Sequence, residues 1–302
     1  MSRSASVPAV PRPVDTVIEF LEAEQARGVT HVLLDEGARD GLRDLLFRAR
    51  AAKAPQEPPM SQPAPRPASQ PALPSSPAAA PPQVIPTHVT AEGQTKTERL
   101  ASLRTQAETW PAARALGSLR DTLVFATGNP DARIMFVGEA PGYEEEKKRE
   151  PFVGPAGQKL TDILKAMGLA REDVYISTIV KFRPSMPRQT TNNRKPSPEE
   201  FAACLPFIRA EIDIVRPTCI VALGATAAEG LLGLDGIITE MRGSWLELAG
   251  IPVRVTYHPS CLLQTNTNLS IRRQLWEDML EVMDKLAMPV SEKQRAFFLP
   301  KP

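Results

Sequence analysis

Two short segments that lie far apart in the sequence carry residue types capable of acid–base chemistry. Gly138-Glu139-Ala140-Pro141 and His258-Pro259-Ser260 each follow an apolar run that is typical of a buried strand. In an open parallel α/β sheet, the loops at the carboxyl ends of the strands line one crevice, and ligands bind there. A carboxylate and an imidazole in that crevice can move a proton or stabilise a developing negative charge. We therefore expect Glu139 and His258 to share one site.

These segments have to be positioned by a sheet, because strand-like and helix-like patterns alternate in this part of the chain. The strand-like runs cover 133–137, 174–180, 218–223 and 253–257, and the helical patterns cover 156–167, 198–215, 225–232 and 271–286. Such alternation predicts parallel strands joined by helical crossovers. The predicted fold class is α/β, a three-layer α/β/α domain with a central four-stranded parallel sheet. Residues 236–250 are expected to form an irregular or hairpin excursion before the last strand.

Composition divides the chain into a main domain and three flanking segments. A stretch rich in proline, alanine, serine and glutamine at 52–95 cannot build a core and is predicted to be a disordered linker. Before it, residues 1–51 are predicted to form a small helix–strand–helix segment. Residues 96–288 are assigned to the main domain, and 289–302 to a C-terminal tail.

Charge, cysteine content and hydropathy exclude several classes of protein. The net charge of +1 gives no general affinity for polyanions, so a nucleic-acid site must be a local patch. Cys204, Cys219 and Cys261 lack C-x-x-C spacing, which argues against a disulfide framework and against a self-contained zinc site. No apolar run approaches the length of a membrane span, and residues 1–13 lack the apolar core of a secretory signal. We expect a cytoplasmic monomer.

Five motifs stand out between residues 138 and 260. They are Gly138-Glu139-Ala140-Pro141-Gly142, Pro151-Phe152-Val153-Gly154-Pro155, Ile179-Val180-Lys181-Phe182-Arg183, Asn193-Arg194 and Thr256-Tyr257-His258-Pro259-Ser260. In this order and at this spacing they resemble family 4 uracil-DNA glycosylases, over about 119–286. The resemblance implies the uracil-DNA glycosylase fold. It also implies hydrolysis, in base-excision repair, of the N-glycosidic bond of uracil or another deaminated base flipped out of DNA.

The resemblance further implies roles for residues around the crevice. Phe152 is expected to stack on the flipped base, although a phenylalanine here can also anchor a loop under the sheet. Glu139 and Ala140 frame the base, and Glu139 can activate the attacking water. His258 donates to the leaving base and stabilises its negative charge. Glu145 is a second acid that can hold the water, or it belongs to a charged and solvated turn.

Two features depart from the family pattern. Family 4 enzymes carry a 4Fe-4S cluster on four cysteines, but residues 115–128 contain none, the third position is Phe182, and only Cys204 remains. One thiolate cannot hold this cluster, so we predict no cofactor and no metal, with Phe182 in an apolar plug. The family's uracil-reading asparagine falls at Thr178, whose hydroxyl is shorter and has one rotatable proton. Thr178 leaves open whether uracil or another deaminated base is preferred.

Cationic residues cluster in the loop after the second strand and at the start of the last helix. Phosphate contacts position DNA without reading its sequence, and a one-sided basic loop beside the crevice suits them. A solvated loop without a partner is the alternative. The residues predicted to bind DNA are Lys181, Arg183, Arg188, Arg194, Lys195, Arg272 and Arg273.

The C-terminal tail is the last feature with a predicted partner. Gln294, Phe297 and Phe298 follow the pattern of peptides that dock in sliding-clamp grooves, but the same residues can also fold back on the domain. The function predicted for the whole chain is that of a DNA glycosylase. The alternatives are a catalytically weak or inactive DNA-damage-binding protein of the same fold, and an assembly adaptor that works through the linker and both ends.

Overall fold

The structure, a computed structural model, describes residues 89–263 and 269–299. The predicted N-terminal segment 1–51 and residues 52–88 of the predicted linker lie outside these ranges. The first described helix begins at Lys96, where the Thr95 side chain accepts a hydrogen bond from the backbone N–H of Glu98. Among the described residues, no helix has both the length and the apolar composition that a membrane span needs.

A mixed six-stranded sheet forms the centre of the fold, and a separate two-stranded pair lies beside it. In chain order the strands are β1 (Leu119–Leu123), β2 (Ala126–Gly128), β3 (Ile134–Gly138), β4 (Tyr175–Thr178), β5 (Phe182–Pro184), β6 (Cys219–Leu223), β7 (Trp245–Leu248) and β8 (Ile251–Thr256). The order across the main sheet is β2-β4-β3-β6-β8-β7, and β1 pairs with β5. Strands β4, β3, β6 and β8 are parallel, as predicted.

The prediction of a four-stranded sheet missed its two edges. Strands β2 and β7 pair antiparallel with β4 and β8 respectively. They have three and four residues, which is too short for an alternating pattern to stand out in the sequence. Strand β7 forms a hairpin with β8 through Ala249 and Gly250, both at positive φ, so the predicted excursion at 236–250 is partly a hairpin.

Helices cover the sheet on both faces. They are α1 (Lys96–Glu108), α2 (Pro111–Ala115), α3 (Tyr143–Lys148), α4 (Pro155–Met167), α5 (Pro198–Val215), α6 (Ala225–Leu232), α7 (Ile238–Met241), α8 (Leu269–Lys285) and α9 (Glu292–Arg295). Helix α5 begins with a capping box, in which Ser197 and Glu200 satisfy each other's backbone N–H groups. The predicted helices 156–167, 198–215, 225–232 and 271–286 correspond to α4, α5, α6 and α8.

The central strands are buried on both faces, which explains their continuous apolar composition. Along β6, Cys219, Val221 and Leu223 belong to one apolar cluster, while Ile220 and Ala222 belong to the other. The first cluster packs under α4 and α8, and the second under α1 and α5. Two such layers fix the strand ends, from which the loops of the site emerge.

One buried ionic network locks the last strand to the last long helix. Asp278 of α8 has no exposed surface and accepts from Arg254 Nε at 3.0 Å, Arg242 Nε at 3.1 Å and Thr256 Oγ1 at 2.8 Å. A buried carboxylate is tolerated when its oxygens are satisfied in this way. The network sets the end of β8, two residues before His258.

Candidate active site

A cleft of about 560 Å³ opens at the carboxyl ends of β3, β4 and β8. Its wall contains every residue that the sequence predicted for catalysis or base binding. These are Glu139, Ala140, Glu145, Phe152, Thr178 and His258. The acid and the imidazole that are distant in the sequence therefore lie in one hollow, because parallel strands deliver both to the same sheet edge.

Glu139 follows β3 and is mostly buried in the cleft wall. Burial raises the pKa of its carboxyl group, and this shift is partly opposed by a hydrogen bond from the Thr226 side chain and by the charge of Lys195. A carboxylate with a raised pKa binds a proton more readily, which is the property that a general base requires. Thr226 lies in the first turn of α6, and the sequence pattern had given it no part in the site.

Glu145 belongs to the same cleft, but its environment is different. Its carboxylate accepts hydrogen bonds from the backbone N–H groups of Gly142 at 3.2 Å, Val153 at 3.0 Å and Gly154 at 2.8 Å. These bonds tie the loop after β3 to the loop before α4. The alternative of a charged and solvated turn therefore does not describe Glu145. The structure shows a bracing carboxylate at the cleft wall.

Phe152 lies over the end of β3 in a strained loop. Its φ is 55°, and its carbonyl accepts a hydrogen bond from Arg171 at 3.0 Å. A Cβ atom at Gly138 would lie 2.5 Å from Cζ of Phe152, so only glycine lets the ring rest against the strand end. The Phe152 ring faces His258, with 5.8 Å between the ring centroids and 36° between the planes. The ring forms an aromatic floor between the two walls that carry the polar groups.

His258 has a defined protonation pattern. Its Nδ1 atom accepts from the backbone N–H of Ser260 at 3.3 Å and lies 2.8 Å from Ser260 Oγ. A backbone N–H can only donate, so the proton of the neutral ring is on Nε2. Burial lowers the pKa of His258 to about 4, against the opposing charge of Glu145. The imidazole is therefore neutral at physiological pH and offers one Nε2–H donor.

The hydroxyl group of Thr178 is turned away from donation to a ligand. Thr178 Oγ1 donates to the backbone carbonyl of Val180 at 2.9 Å. The oxygen retains only acceptor capacity, whereas an asparagine amide presents a donor and an acceptor together. This position can accept from a ring N–H of a base but cannot also donate to its carbonyl.

Two further residues complete the cleft and were not predicted. Asn193 lines it with an amide whose Oδ1 is fixed by Arg183 Nε at 3.0 Å, and Ser260 orients His258 as described above. Asn193 belongs to a recognised motif but had no predicted role, and Ser260 directly follows His258-Pro259. The signal was present in both cases, but only the fold shows that these side chains point toward the same space.

The structure corrects part of the predicted DNA-binding set. Lys181 and Arg183 are 0% and 2% exposed, and their side chains pair with Glu211 and Glu146 inside the domain. Side chains with so little exposed surface cannot reach a phosphate, so the prediction is wrong for both. Both residues lie in the segment that follows β4 at the edge of the cleft, Lys181 in the turn and Arg183 in β5, but their side chains turn inward.

The other predicted cations have different environments. Arg188 is exposed, and Lys195 is exposed and pairs with Glu229. Arg194 lines the cleft but is engaged by Glu200, by Ser185 O at 2.8 Å and by Ser118 O at 2.9 Å. Arg272 and Arg273 are half-buried. Arg188 and Lys195 are the two members of the predicted set that the structure leaves most accessible to a phosphate.

The region that would carry an iron–sulfur cluster does not fit one. Phe182 is buried with the Arg114 guanidinium 4.8 Å from its ring centroid, and burial raises the pKa of the Cys204 thiol to about 11. Trp110 and Phe207 pack edge-to-face at 5.0 Å in the same cluster. Cys219 lies on the opposite face of the sheet. Within residues 89–263 and 269–299, no group of three or more His, Cys, Asp or Glu side chains could hold a metal.

The predicted clamp-binding peptide folds back on the domain. Trp276 Nε1 donates to Gln294 O at 2.6 Å, and Gln294 Nε2 donates to Ala166 O at 2.8 Å. Phe297 packs on Trp276 with ring centroids 5.3 Å apart, while Phe298 is 41% exposed. Two of the three residues of the pattern are therefore engaged within the domain, and docking to a clamp stays a prediction.

Fold and cleft together define a class of protein. It is a three-layer α/β domain that joins a buried acid, an aromatic floor and a neutral imidazole at the ends of its parallel strands. The sequence model of the Uracil DNA glycosylase superfamily matches residues 125–280. The chain belongs to this superfamily.

Individual relatives agree with the predicted resemblance to family 4. The chain is 48% identical to the type-4 uracil-DNA glycosylase of Thermotoga maritima over 53% of this chain and 81% of the relative. It is 37% identical to the type-4 enzyme of Archaeoglobus fulgidus over 61% and 89% respectively. Identity to the type-5 uracil-DNA glycosylase of Pyrobaculum aerophilum is 32%, over 53% and 73%. The resemblance to family 4 is confirmed.

Proposed function

We propose that this protein is a DNA glycosylase that hydrolyses the N-glycosidic bond of uracil in DNA, as a first step of base-excision repair. The observation that carries the proposal is the convergence of Glu139, Phe152 and His258 in one cleft. The type-4 relatives named above support the choice of uracil as substrate.

The geometry supports a division of labour during bond cleavage. The bond between N1 of uracil and C1′ of deoxyribose breaks, and its electron pair moves onto the base. His258 donates its Nε2–H to the resulting anion and stabilises it. Because the pKa of His258 is low, the imidazole is already neutral and remains neutral in this step. Glu139 takes a proton from the water that adds to C1′, and its charge stabilises the oxocarbenium-like sugar before the water arrives.

Three residues orient the base in this proposal. Phe152 provides the stacking surface, and Ala140 lines the frame beside it. Thr178 accepts from the N3–H of uracil, a proton that cytosine lacks at this position. Glu145 braces the loops that surround the base, and its remaining lone pairs can hold the water.

We further propose that the domain works without a cluster, and that Arg188 and Lys195 contact DNA phosphates. The burial of Phe182 in the apolar core, with the Arg114 guanidinium over its ring, supports the first statement. The exposure of both cations near the cleft loop supports the second.

The test is direct. Full-length protein is incubated with oligonucleotides that contain uracil, hypoxanthine or xanthine, in single and double strands, and abasic sites are then cleaved with alkali. We expect cleavage at uracil by the wild type and none by a Glu139→Gln, His258→Ala double variant that is folded by circular dichroism. Binding of uracil-containing DNA without cleavage by the wild type would instead favour the alternative of an inactive damage-binding protein.

A further inference from the structure

The chain makes an irregular turn at 178–181, between β4 and β5, at the edge of the cleft. Its backbone N–H and C=O groups form individual hydrogen bonds to neighbouring segments and are not part of a regular strand pairing. Ile179 N donates to Gly138 O at 3.0 Å, and Val180 N donates to Glu139 O at 3.0 Å. Lys181 O accepts from Val124 N at 2.8 Å. The turn is therefore bonded directly to the strand end that carries Glu139.

The side chain of Lys181 closes this turn from inside the protein. It has no exposed surface, and its Nζ donates to the carbonyl of Thr178 at 2.7 Å and to Ser177 Oγ at 2.7 Å. Its third partner is the carboxylate of Glu211 on α5, which also has no exposed surface. All three N–H donors of the ammonium group are thereby used.

Glu211 is held by the same strand. It accepts from Ser177 Oγ at 2.6 Å and from the Tyr175 hydroxyl at 3.3 Å. Burial lowers the pKa of Lys181 and raises the pKa of Glu211, and each charge opposes the shift of the other. Replacing a buried ion pair by apolar side chains is often neutral or stabilising. Stability alone therefore does not account for two charges at this place, whereas fixing a polar turn does.

We propose that Lys181 is a positioning residue for the cleft. Lys181 holds the Thr178 carbonyl and thereby fixes the turn 178–181. The turn, held in place, fixes Thr178 at the base-binding wall, and it fixes the backbone of Glu139 through the hydrogen bond from Val180 N. The effect on excision rests on the proposed function. The effect on the turn itself rests on geometry alone.

The experiment compares Lys181→Met, the double variant Lys181→Met/Glu211→Met, and Tyr175→Phe. Lys181→Met leaves Glu211 as an unpaired buried charge, so we expect a lower melting temperature and a lower kcat. The double variant removes that charge, so we expect the melting temperature to recover. Its kcat stays about a hundredfold below wild type, because a small misplacement of a reacting geometry costs about that much. Tyr175→Phe removes a hydrogen bond to Glu211 but none to Thr178, and serves as the matched control.

Two readouts separate positioning from a merely structural role. The first is single-turnover kcat against KM for uracil-containing DNA, where we expect a loss in kcat with KM unchanged. The second is amide hydrogen exchange of Ile179 and Val180, which we expect to be faster in the double variant and unchanged in Tyr175→Phe. Recovery of kcat together with the melting temperature in the double variant overturns the inference. Unchanged exchange overturns it as well, whether or not the wild type excises uracil, so the failure of the proposed function remains distinguishable.

Discussion

The cleft and the neighbouring aromatic block, which we define as Trp110, Phe182 and Phe207 with Arg114 and Cys204, meet opposite physical requirements. The aromatic block is closed. Trp110 packs edge-to-face on Phe207 and donates through Nε1 to Ala203 O at 2.8 Å, and the Arg114 guanidinium lies over the ring of the buried Phe182. The cleft instead contains titratable groups. Burial shifts the pKa values of Glu139 and His258 so that the neutral form of each side chain is favoured. The aromatic block is filled by packed side chains, whereas the second region keeps titratable groups at the wall of an open cleft.

The largest expected effect lies in the cleft, at His258. Changing His258 to Ala removes the donor to the leaving base, and we expect excision to fall about a hundred- to thousandfold. KM for DNA and the melting temperature should change little. Single-turnover kinetics check this, with Ser260→Ala as a milder control that removes the hydroxyl next to Nδ1 and keeps the backbone N–H that donates to it. A loss smaller than about threefold for His258→Ala would remove the histidine from the mechanism.

The next largest effects are expected at the two glutamates of the cleft, where the melting temperatures should shift in opposite directions. For Glu139→Gln we expect a loss of about a hundredfold or more in kcat and a higher melting temperature, because a poorly solvated carboxylate is replaced by a neutral amide. For Glu145→Gln we expect a lower melting temperature, because three backbone N–H groups lose an anionic acceptor. Differential scanning calorimetry distinguishes them, and equal signs of the two shifts would contradict this assignment.

The raised pKa of Glu139 also predicts how excision and stability of the wild type depend on pH. Wild-type excision should fall as the pH falls through the raised pKa of Glu139. The folding stability contributed by this group runs the other way. Its folded pKa exceeds its unfolded one, so this contribution is present at low pH and is lost as pH rises through the folded pKa. Both dependences should disappear in Glu139→Gln.

In the aromatic block the expected loss is one of stability. Changing Phe182 to Ala should lower the free energy of unfolding by about 3–5 kcal/mol, since a buried ring leaves a cavity. Excision per folded molecule should remain near the wild-type rate. Denaturant titration measures the free energy of unfolding, and active-site counting gives the excision rate per folded molecule.

Wild-type protein purified without oxygen should contain iron far below four atoms per chain, and a stoichiometric cluster would contradict the proposal that the domain works without one.

At Thr178 the expected effect is smaller and has the opposite sign. Changing Thr178 to Asn provides a donor and an acceptor where the hydroxyl now donates to Val180 O. We expect faster excision of uracil, by about tenfold, and little change for hypoxanthine. Thr178→Val is the matched control, because it keeps the shape and removes the acceptor. Unchanged uracil excision by the asparagine variant would show that position 178 does not limit the reaction.

The smallest expected effects are on DNA affinity. Changing Arg188 or Lys195 to Ala should weaken binding a fewfold for any sequence. The slope of log affinity against log salt should become shallower by about 1 for each phosphate that the variant no longer neutralises. Arg104, an exposed arginine of α1, is the control. Fluorescence anisotropy over a salt series measures this, and a slope equal to that of the Arg104→Ala variant would exclude a phosphate partner for the residue tested.

The sequence was sufficient where a signal is local or where topology converts it into proximity. Strand and helix patterns predicted the parallel core, and the strand-end rule placed Glu139 and His258 together. Side-chain direction could not be predicted in this way. Lys181 and Arg183 were assigned to DNA from their position in a basic loop, but their partners Glu211 and Glu146 are 30 or more residues away in the sequence and were not connected to them. The edge strands escaped because three or four residues carry no readable period.

The C-terminal segment joins two helices, α4 and α8, that lie far apart in the sequence. Gln294 joins α4, through Ala166 O, to α8, through Trp276, and Arg273 of α8 also donates to Arg295 O and Phe297 O. Helix α4 begins beside Phe152, and α8 follows the loop that carries His258. A protein that captured the segment as an extended peptide would first have to break these bonds. Capture by such a protein and an intact junction of the two helices therefore exclude each other.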